Sequence, residues 1–159
     1  MPIAALPPTV FAPLTSNESL IVAIQAASGE SHSTVLDRLL AEEECLGINV
    51  RRDAAAFGLK PYVWSDQLIE FYRSTKSFLY ETAVWNRTPL KQQMREWIGR
   101  FLQRNGLCTA KVLTFGDGLG FDSTFLALLG CDVTYYEPSE ECSRFALSAF
   151  QRRAESKFF

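Results

Sequence analysis

Apolar residues recur along the first part of the chain at the three- and four-residue spacing of amphipathic helices. A first helix is predicted from Asn17, with an inward stripe that includes Leu20 and Ile24, and it ends at Gly29. The same spacing predicts five further helices. The second is capped by Ser31 or Ser33 and ends at Gly47, and the third is a short helix over Arg51–Phe57. A helix capped by Ser65, an aromatic-rich helix over Phe78–Trp85 and a long helix from Thr88-Pro89 to Gly106 follow. The pattern predicts a helical region over residues 16–106, behind an extended, proline-punctuated arm over residues 1–15.

Burial within these helices is predicted from the same spacing. The long helix carries an apolar stripe that we expect to face the core: Leu90, Met94, Trp97, Ile98, Phe101 and Leu102. The acidic run Glu42–Glu44 is expected to form a solvated helix face. His32, the sole histidine, is expected to cap a helix or face solvent.

The pattern changes at Lys111. The apolar run Val112–Phe115 breaks into a glycine-rich turn, a helical pattern covers Asp122–Leu129, and a second apolar run, Val133–Tyr136, ends at Glu137. This order predicts a βαβ unit, and a last helix begins at Ser139. Glycines let the backbone approach a ligand where a Cβ would collide, and amides at a helix start can face its polar groups. An acid at the end of the second strand can accept both hydroxyls of a ribose.

This unit resembles the class I S-adenosylmethionine-dependent methyltransferases. Their G-x-G-x-G motif after the first strand reads Gly116-Asp117-Gly118-Leu119-Gly120 here, and the acid and serine that follow their second strand are Glu137 and Ser139. The resemblance covers about Lys111 to Phe150. It departs from the family at Thr114, where an acid is usual.

The resemblance implies a cofactor, S-adenosylmethionine, and the residues that bind it. Gly116, Gly118 and Gly120 would line its methionine and ribose end, and Glu137 would take the ribose 2′- and 3′-hydroxyls. Asp117 is the acid nearest to the position that Thr114 leaves without one, and it could contact the cofactor's ammonium group. The methyl acceptor and the catalytic base stay unknown, because such residues usually lie on later strands in this family.

The resemblance also implies an α/β fold: a helical N-terminal region followed by the first βαβα half of a Rossmann-like domain over residues 107–159. The family's domain has about seven strands, so we expect a truncated domain that is inactive alone and prone to self-association. Helices meant for absent strands would expose Phe145, Phe150, Phe158 and Phe159.

Two other functions stay open. The G-x-G-x-x-G fingerprint of nicotinamide and flavin oxidoreductases would place Phe121 at its last glycine when counted from Gly116, which argues against it, but counting from Gly118 reaches Ser123. The chain could also be a non-catalytic helical interaction domain. Tyr72, Tyr80 and Trp85 are candidates for an aromatic surface against a sulfonium, or for plain core packing.

Composition limits the remaining choices. The chain has 159 residues and a net charge of −2, so no basic field favours nucleic acid. It lacks a run of about eighteen apolar residues, which predicts no membrane span. Its four cysteines, Cys45, Cys108, Cys131 and Cys142, form no CxxC pair, so we predict no metal site and free thiols in a reducing cytoplasm.

Overall fold

The fold is a mostly helical α/β arrangement in a computed structural model that describes residues 17–60 and 63–155, with side chains as far as Gln151. Within these residues eight helices accompany two strands: α1 Glu18–Ser28, α2 His32–Glu44, α3 Ile48–Ala56, α4 Asp66–Ser74, α5 Ser77–Trp85, α6 Pro89–Arg104, β1 Lys111–Phe115, α7 Phe121–Leu129, β2 Asp132–Tyr136 and α8 Glu140–Glu155. The mixed α/β class is therefore confirmed. The predicted arm over residues 1–15 and the pair Phe158-Phe159 lie outside the described residues.

Local capping explains where most helices begin. The side chains of Asn17, Ser31, Ser65 and Thr88 each accept a hydrogen bond from a backbone amide of the first helical turn. These contacts satisfy amides that have no partner inside a helix. The predicted helix starts at these four positions are confirmed.

The junction of α2 and α3 differs from the prediction. Helix α2 ends at Glu44, and α3 begins three residues before Arg51, immediately after Gly47. The cause is Glu42, whose buried carboxylate accepts hydrogen bonds from the amides of Gly47 and Asn49 and from the Asn49 side chain. The prediction of a solvated acidic face is therefore wrong for Glu42.

One hydrophobic core joins the N-terminal helices to the βαβ unit. Ile21, Ile24, Leu39 and Leu79 from α1, α2 and α5 pack in the same cluster as Phe145 of α8. The prediction that Phe145 is exposed is wrong, because α8 packs against α1, α4 and α5. Phe150 is half-buried, with its ring beside Tyr135.

The two strands are parallel, and their register pairs Lys111 with Asp132 and Phe115 with Tyr136. One sheet face, with Val112 and Val133, packs against a second cluster around Phe125 and Leu126 of α7. The other face is open: Leu113 is 63% and Phe115 75% exposed.

Helix α6 buries only the Leu102 end of its predicted apolar stripe, where Leu102 packs against the second cluster. Leu90, Met94, Trp97, Ile98 and Phe101 are exposed, and Arg95 and Gly99 are buried instead. The reason is the contact of α6 with α7, which is made through the Arg95 side of the helix. None of the helices in the described part of the chain is long and apolar enough to cross a membrane.

Candidate functional site

A cleft of about 750 Å³ opens at the carboxyl ends of β1 and β2. On one side it is bounded by the turn after β1 and the end of β2, through Phe115, Gly116, Asp117, Gly118, Tyr136 and Glu137. On the other side it is bounded by α4, α5 and the segment before α4, through Trp64, Leu68, Ile69, Tyr72, Arg73, Phe78, Glu81, Thr82 and Trp85. Ligands of open α/β sheets bind at this edge, outside the carboxyl ends of the strands.

The three motif glycines share a backbone conformation but have different neighbours. Gly116, Gly118 and Gly120 have φ of 70°, 59° and 75°, values that L side chains rarely adopt. A Cβ on Gly116, which lines the cleft, would meet no atom within 4 Å. A Cβ on Gly118 would lie 2.4 Å from Cγ2 of Thr82, and one on Gly120 would lie 2.6 Å from the Phe150 ring.

Two functions are therefore divided among these glycines. Gly116 keeps space free inside the cleft. Gly118 lets the turn approach α5, and it also lines the cleft. Gly120 is buried against α8 and is not among the residues that line the cleft.

Glu137 is fixed at the end of β2 by two backbone amides. Its Oε2 accepts a hydrogen bond from the Gly118 amide at 2.7 Å, and its Oε1 accepts one from the Ser139 amide at 2.8 Å. A carboxylate offers about four lone-pair sites, so each oxygen keeps capacity for another donor. The Tyr135 hydroxyl donates to the Gly118 carbonyl at 2.5 Å and holds the turn from its other side.

Asp117 caps α7. Its Oδ2 accepts from the Ser123 amide at 2.7 Å and from the Ser123 hydroxyl at 2.5 Å, and its Oδ1 accepts from the Asp122 amide at 3.1 Å. Burial raises the pKa of Asp117, while its hydrogen bonds from Ser123 lower it. Thr114, where the family has an acid, bonds the Ser123 hydroxyl at 2.6 Å. The start of α7 is thus satisfied by the chain itself.

A charged cluster at the margin of the cleft was missed from the sequence. Asp122 forms ion pairs of 2.6 Å with Lys91 and of 2.6 Å with buried Arg95. Arg95 also donates to the carbonyl of Asn86 at 3.0 Å and to its side-chain oxygen. The partners lie 27 and 31 residues apart, and no short motif marks them.

Aromatic side chains form part of the opposite side. Tyr72 and Phe78 stack with ring centroids 4.7 Å apart, and Trp85 lines the cleft with them. Tyr80, the third candidate, is buried in the helical core, where its hydroxyl donates to Glu30. Burial raises the pKa of Tyr80. The structure therefore brings Tyr72 and Trp85 to the cleft and leaves Tyr80 out of it.

The other chemistry-bearing residues lie elsewhere. His32 is exposed, and its Nε2 atom lies 3.6 Å from Oε2 of Glu18. Across the described residues, no three His, Cys, Asp or Glu side chains cluster as metal ligands would. Burial raises the pKa of the Cys142 thiol to about 12, so this cleft residue is protonated at neutral pH.

Comparison with known proteins gives no relative to which the site can be matched. No protein-family model matches the chain, and neither a curated protein nor a solved structure is significantly similar to it.

Proposed function

We propose that this cleft binds S-adenosylmethionine and that the chain supplies the cofactor-binding half of a methyltransferase with a Rossmann-like domain. The observation that carries the proposal is Glu137, held by the amides of Gly118 and Ser139 at the end of β2 with acceptor capacity left on both oxygens. Two adjacent ribose hydroxyls are the donors that such a carboxylate can take. Gly116 supports this, because it lines the same cleft as Glu137 and leaves space there that any side chain would reduce.

The opposite side of the cleft suits a cation. S-adenosylmethionine, when bound, supplies an electrophilic methyl group on a positively charged sulfur. Tyr72, Phe78 and Trp85 line this side of the cleft, and aromatic rings attract a cation. The chain's own part is to bind, orient and exclude water, which is how positioning lowers a barrier. The methyl acceptor and the base are not assigned, and a cytoplasmic location stays a prediction.

The oxidoreductase alternative is less well supported by the start of α7. A dinucleotide fold leaves the first amides of this helix free for a pyrophosphate. Here the amides of Asp122 and Ser123 already donate to Asp117, and a pyrophosphate would have to displace this half-buried carboxylate. Phe121 also stands where the fingerprint counted from Gly116 has a small residue.

Calorimetric titration of the chain with S-adenosylmethionine and, separately, with NADH tests the proposal. We expect binding of the first only. Glu137→Gln should weaken it by roughly 1.5–3 kcal/mol, the scale of a hydrogen bond to a charged group. Gln keeps an acceptor for one of the two amides, so it disturbs the turn less than Ala. The matched control is Glu140→Gln, an exposed residue outside the cleft.

A second variant pair tests the space at the glycine turn. Gly116→Leu should abolish binding. Gly29→Leu is the matched control. Gly29 also has φ of 70°, and a Cβ added there would meet no atom within 4 Å, so the backbone strain is the same, but Gly29 lies outside the cleft. Unchanged affinity in both Glu137→Gln and Gly116→Leu would refute the proposed site. Binding of neither ligand by the unmodified chain would favour the helical interaction domain.

A further inference from the structure

The cleft has two chemically different ends. Beside the glycine turn it is lined by the carboxylates of Asp117 and Glu137 together with backbone and the rings of Phe115 and Tyr136. Beside α4 it is lined by large apolar side chains, namely Trp64, Leu68 and Ile69. A concave site with an apolar floor and a few polar groups is the usual form of a small-molecule site.

Trp64 is the most informative residue of the α4 end. Its side chain is 79% exposed although it lines a cleft. Large apolar side chains left open inside a concave site mark surface that a ligand can cover. Trp97 offers a comparison, because it is 68% exposed on α6, stacks on Phe101 and does not line the cleft.

Charge at this end is provided by Arg73. Within the part of the chain that the structure describes, its guanidinium has neither a hydrogen bond nor an ion pair with another side chain. The other cation that lines the cleft, Lys91, forms an ion pair with Asp122, which also binds the buried Arg95. An anionic group in the cleft would therefore find its free cation beside α4, away from Glu137 and Asp117.

We propose that the α4 end of the cleft binds a flat, apolar molecule that carries an anionic group, with Trp64 against its face and Arg73 against its charge. Its role as the methyl acceptor rests on the proposed function; the site itself does not. Trp64 and Arg73 are not among the residues assigned to the cofactor, so we expect this ligand and S-adenosylmethionine to occupy the cleft together.

The test uses two fluorescent probes of similar shape. 8-Anilino-1-naphthalenesulfonate is flat, apolar and anionic, and N-phenyl-1-naphthylamine is its neutral counterpart. We expect Trp64→Ala to weaken both probes about fivefold or more, as loss of a central aromatic contact does. Arg73→Gln should weaken only the anionic probe, about two- to fivefold, the scale of an exposed ion pair. Far-ultraviolet circular dichroism checks that each variant is folded.

Matched controls separate this site from other apolar surface. Trp97→Ala and Arg52→Gln change an exposed tryptophan and an exposed arginine outside the cleft, and both should leave the two affinities within about twofold. Any of three results would overturn the proposal. Trp64→Ala could bind both probes with unchanged affinity, or lose no more affinity than Trp97→Ala. Arg73→Gln could affect the two probes equally.

Failure of this site and failure of the proposed function give different results. Saturating S-adenosylmethionine should leave the anionic probe bound, and displacement of the probe would overturn the claim that the two ligands bind together. Normal probe binding in a chain that does not bind S-adenosylmethionine would support the α4 site and refute the proposed function.

Discussion

Glu42 and Glu81 are neighbouring carboxyl groups that differ in the hydrogen bonds they accept. Glu42 accepts three hydrogen bonds from Gly47 and Asn49, which compensate its burial. No hydrogen bond to the Glu81 side chain offers similar compensation in the described part of the chain. Burial raises the pKa of Glu81, the charge of Glu42 raises it further, and Arg51 opposes both. An ionised Glu81 therefore costs folding free energy at neutral pH.

We predict that Glu81→Gln stabilises the fold at pH 7 and not at pH 4. The folded pKa of Glu81 lies above its usual value of 4.5, so its favourable contribution is complete below that value and is lost as pH rises through the folded pKa. Urea unfolding at several pH values checks this. Asp117, whose pKa is also raised, is present in both proteins, so the difference between them isolates Glu81. Glu44→Gln, an exposed change on α2, is the control; parallel pH profiles of wild type and Glu81→Gln would contradict the prediction.

Some residue contacts depend on spacing along the chain, and others depend on tertiary packing. Gly116, Asp117 and Glu137 reach one cleft because a short βαβ unit brings both strand ends together. The pairing of Asp122 with Lys91 and Arg95 joins residues from α6 and α7, and only tertiary packing brings those helices together. The burial of Glu42 was missed for a related reason, since its partners lie beyond the end of its own helix.

Helix boundaries, too, could be predicted where a nearby residue determines them and not where a residue of another helix does. The starts of α1, α2 and α6 depend on a capping side chain within three residues, which sequence alone can reveal. The start of α3 depends on Glu42, a residue of the preceding helix, and was placed too late. The face that α6 buries was also not predictable from its stripe, because buried Arg95 and its partners select the opposite side.

A further prediction concerns the stability of glycine variants in the turn from β1 to α7. Gly116→Ala and Gly118→Ala impose a similar backbone strain, but only the second brings a Cβ to 2.4 Å from Thr82. We expect Gly118→Ala to lower the free energy of unfolding by about 1–3 kcal/mol more than Gly116→Ala, the usual cost of overpacking. Urea unfolding measures the difference.

A double-mutant cycle identifies the cause of that loss. Thr82→Ala removes the two nearest atoms, so the combined variant Gly118→Ala, Thr82→Ala should recover much of the loss seen in Gly118→Ala. Additive losses would mean that Thr82 moves aside without cost and that the glycine is required for its backbone conformation alone.

At the scale of the whole molecule, apolar surface is exposed at the sheet and along α6. Leu113, Phe115 and Tyr136 occupy the open face of a parallel sheet, a kind of sheet that is normally covered on both faces. Strand β1 pairs only with β2 among the described residues, so its other edge has unpaired amides and carbonyls. The sequence predicted exposed apolar surface but assigned it to α8, because the packing of α8 on the N-terminal helices could not be read from spacing.

We therefore predict that the chain self-associates through the face and free edge of β1. Exposed strand edges and apolar patches drive association, and a charge on the edge strand opposes it. Light scattering over a dilution series should show an average mass that rises with concentration. Leu113→Lys should shift the chain toward monomer. Leu147→Lys, on an exposed apolar residue of α8, should not.

If both variants associate like wild type, the contact lies elsewhere, and the stripe of α6 is then the surface to test. A monomer at every concentration would mean that two parallel strands with one open face are stable because the helical core, shared by α1, α2, α5 and α8, carries the stability of the fold.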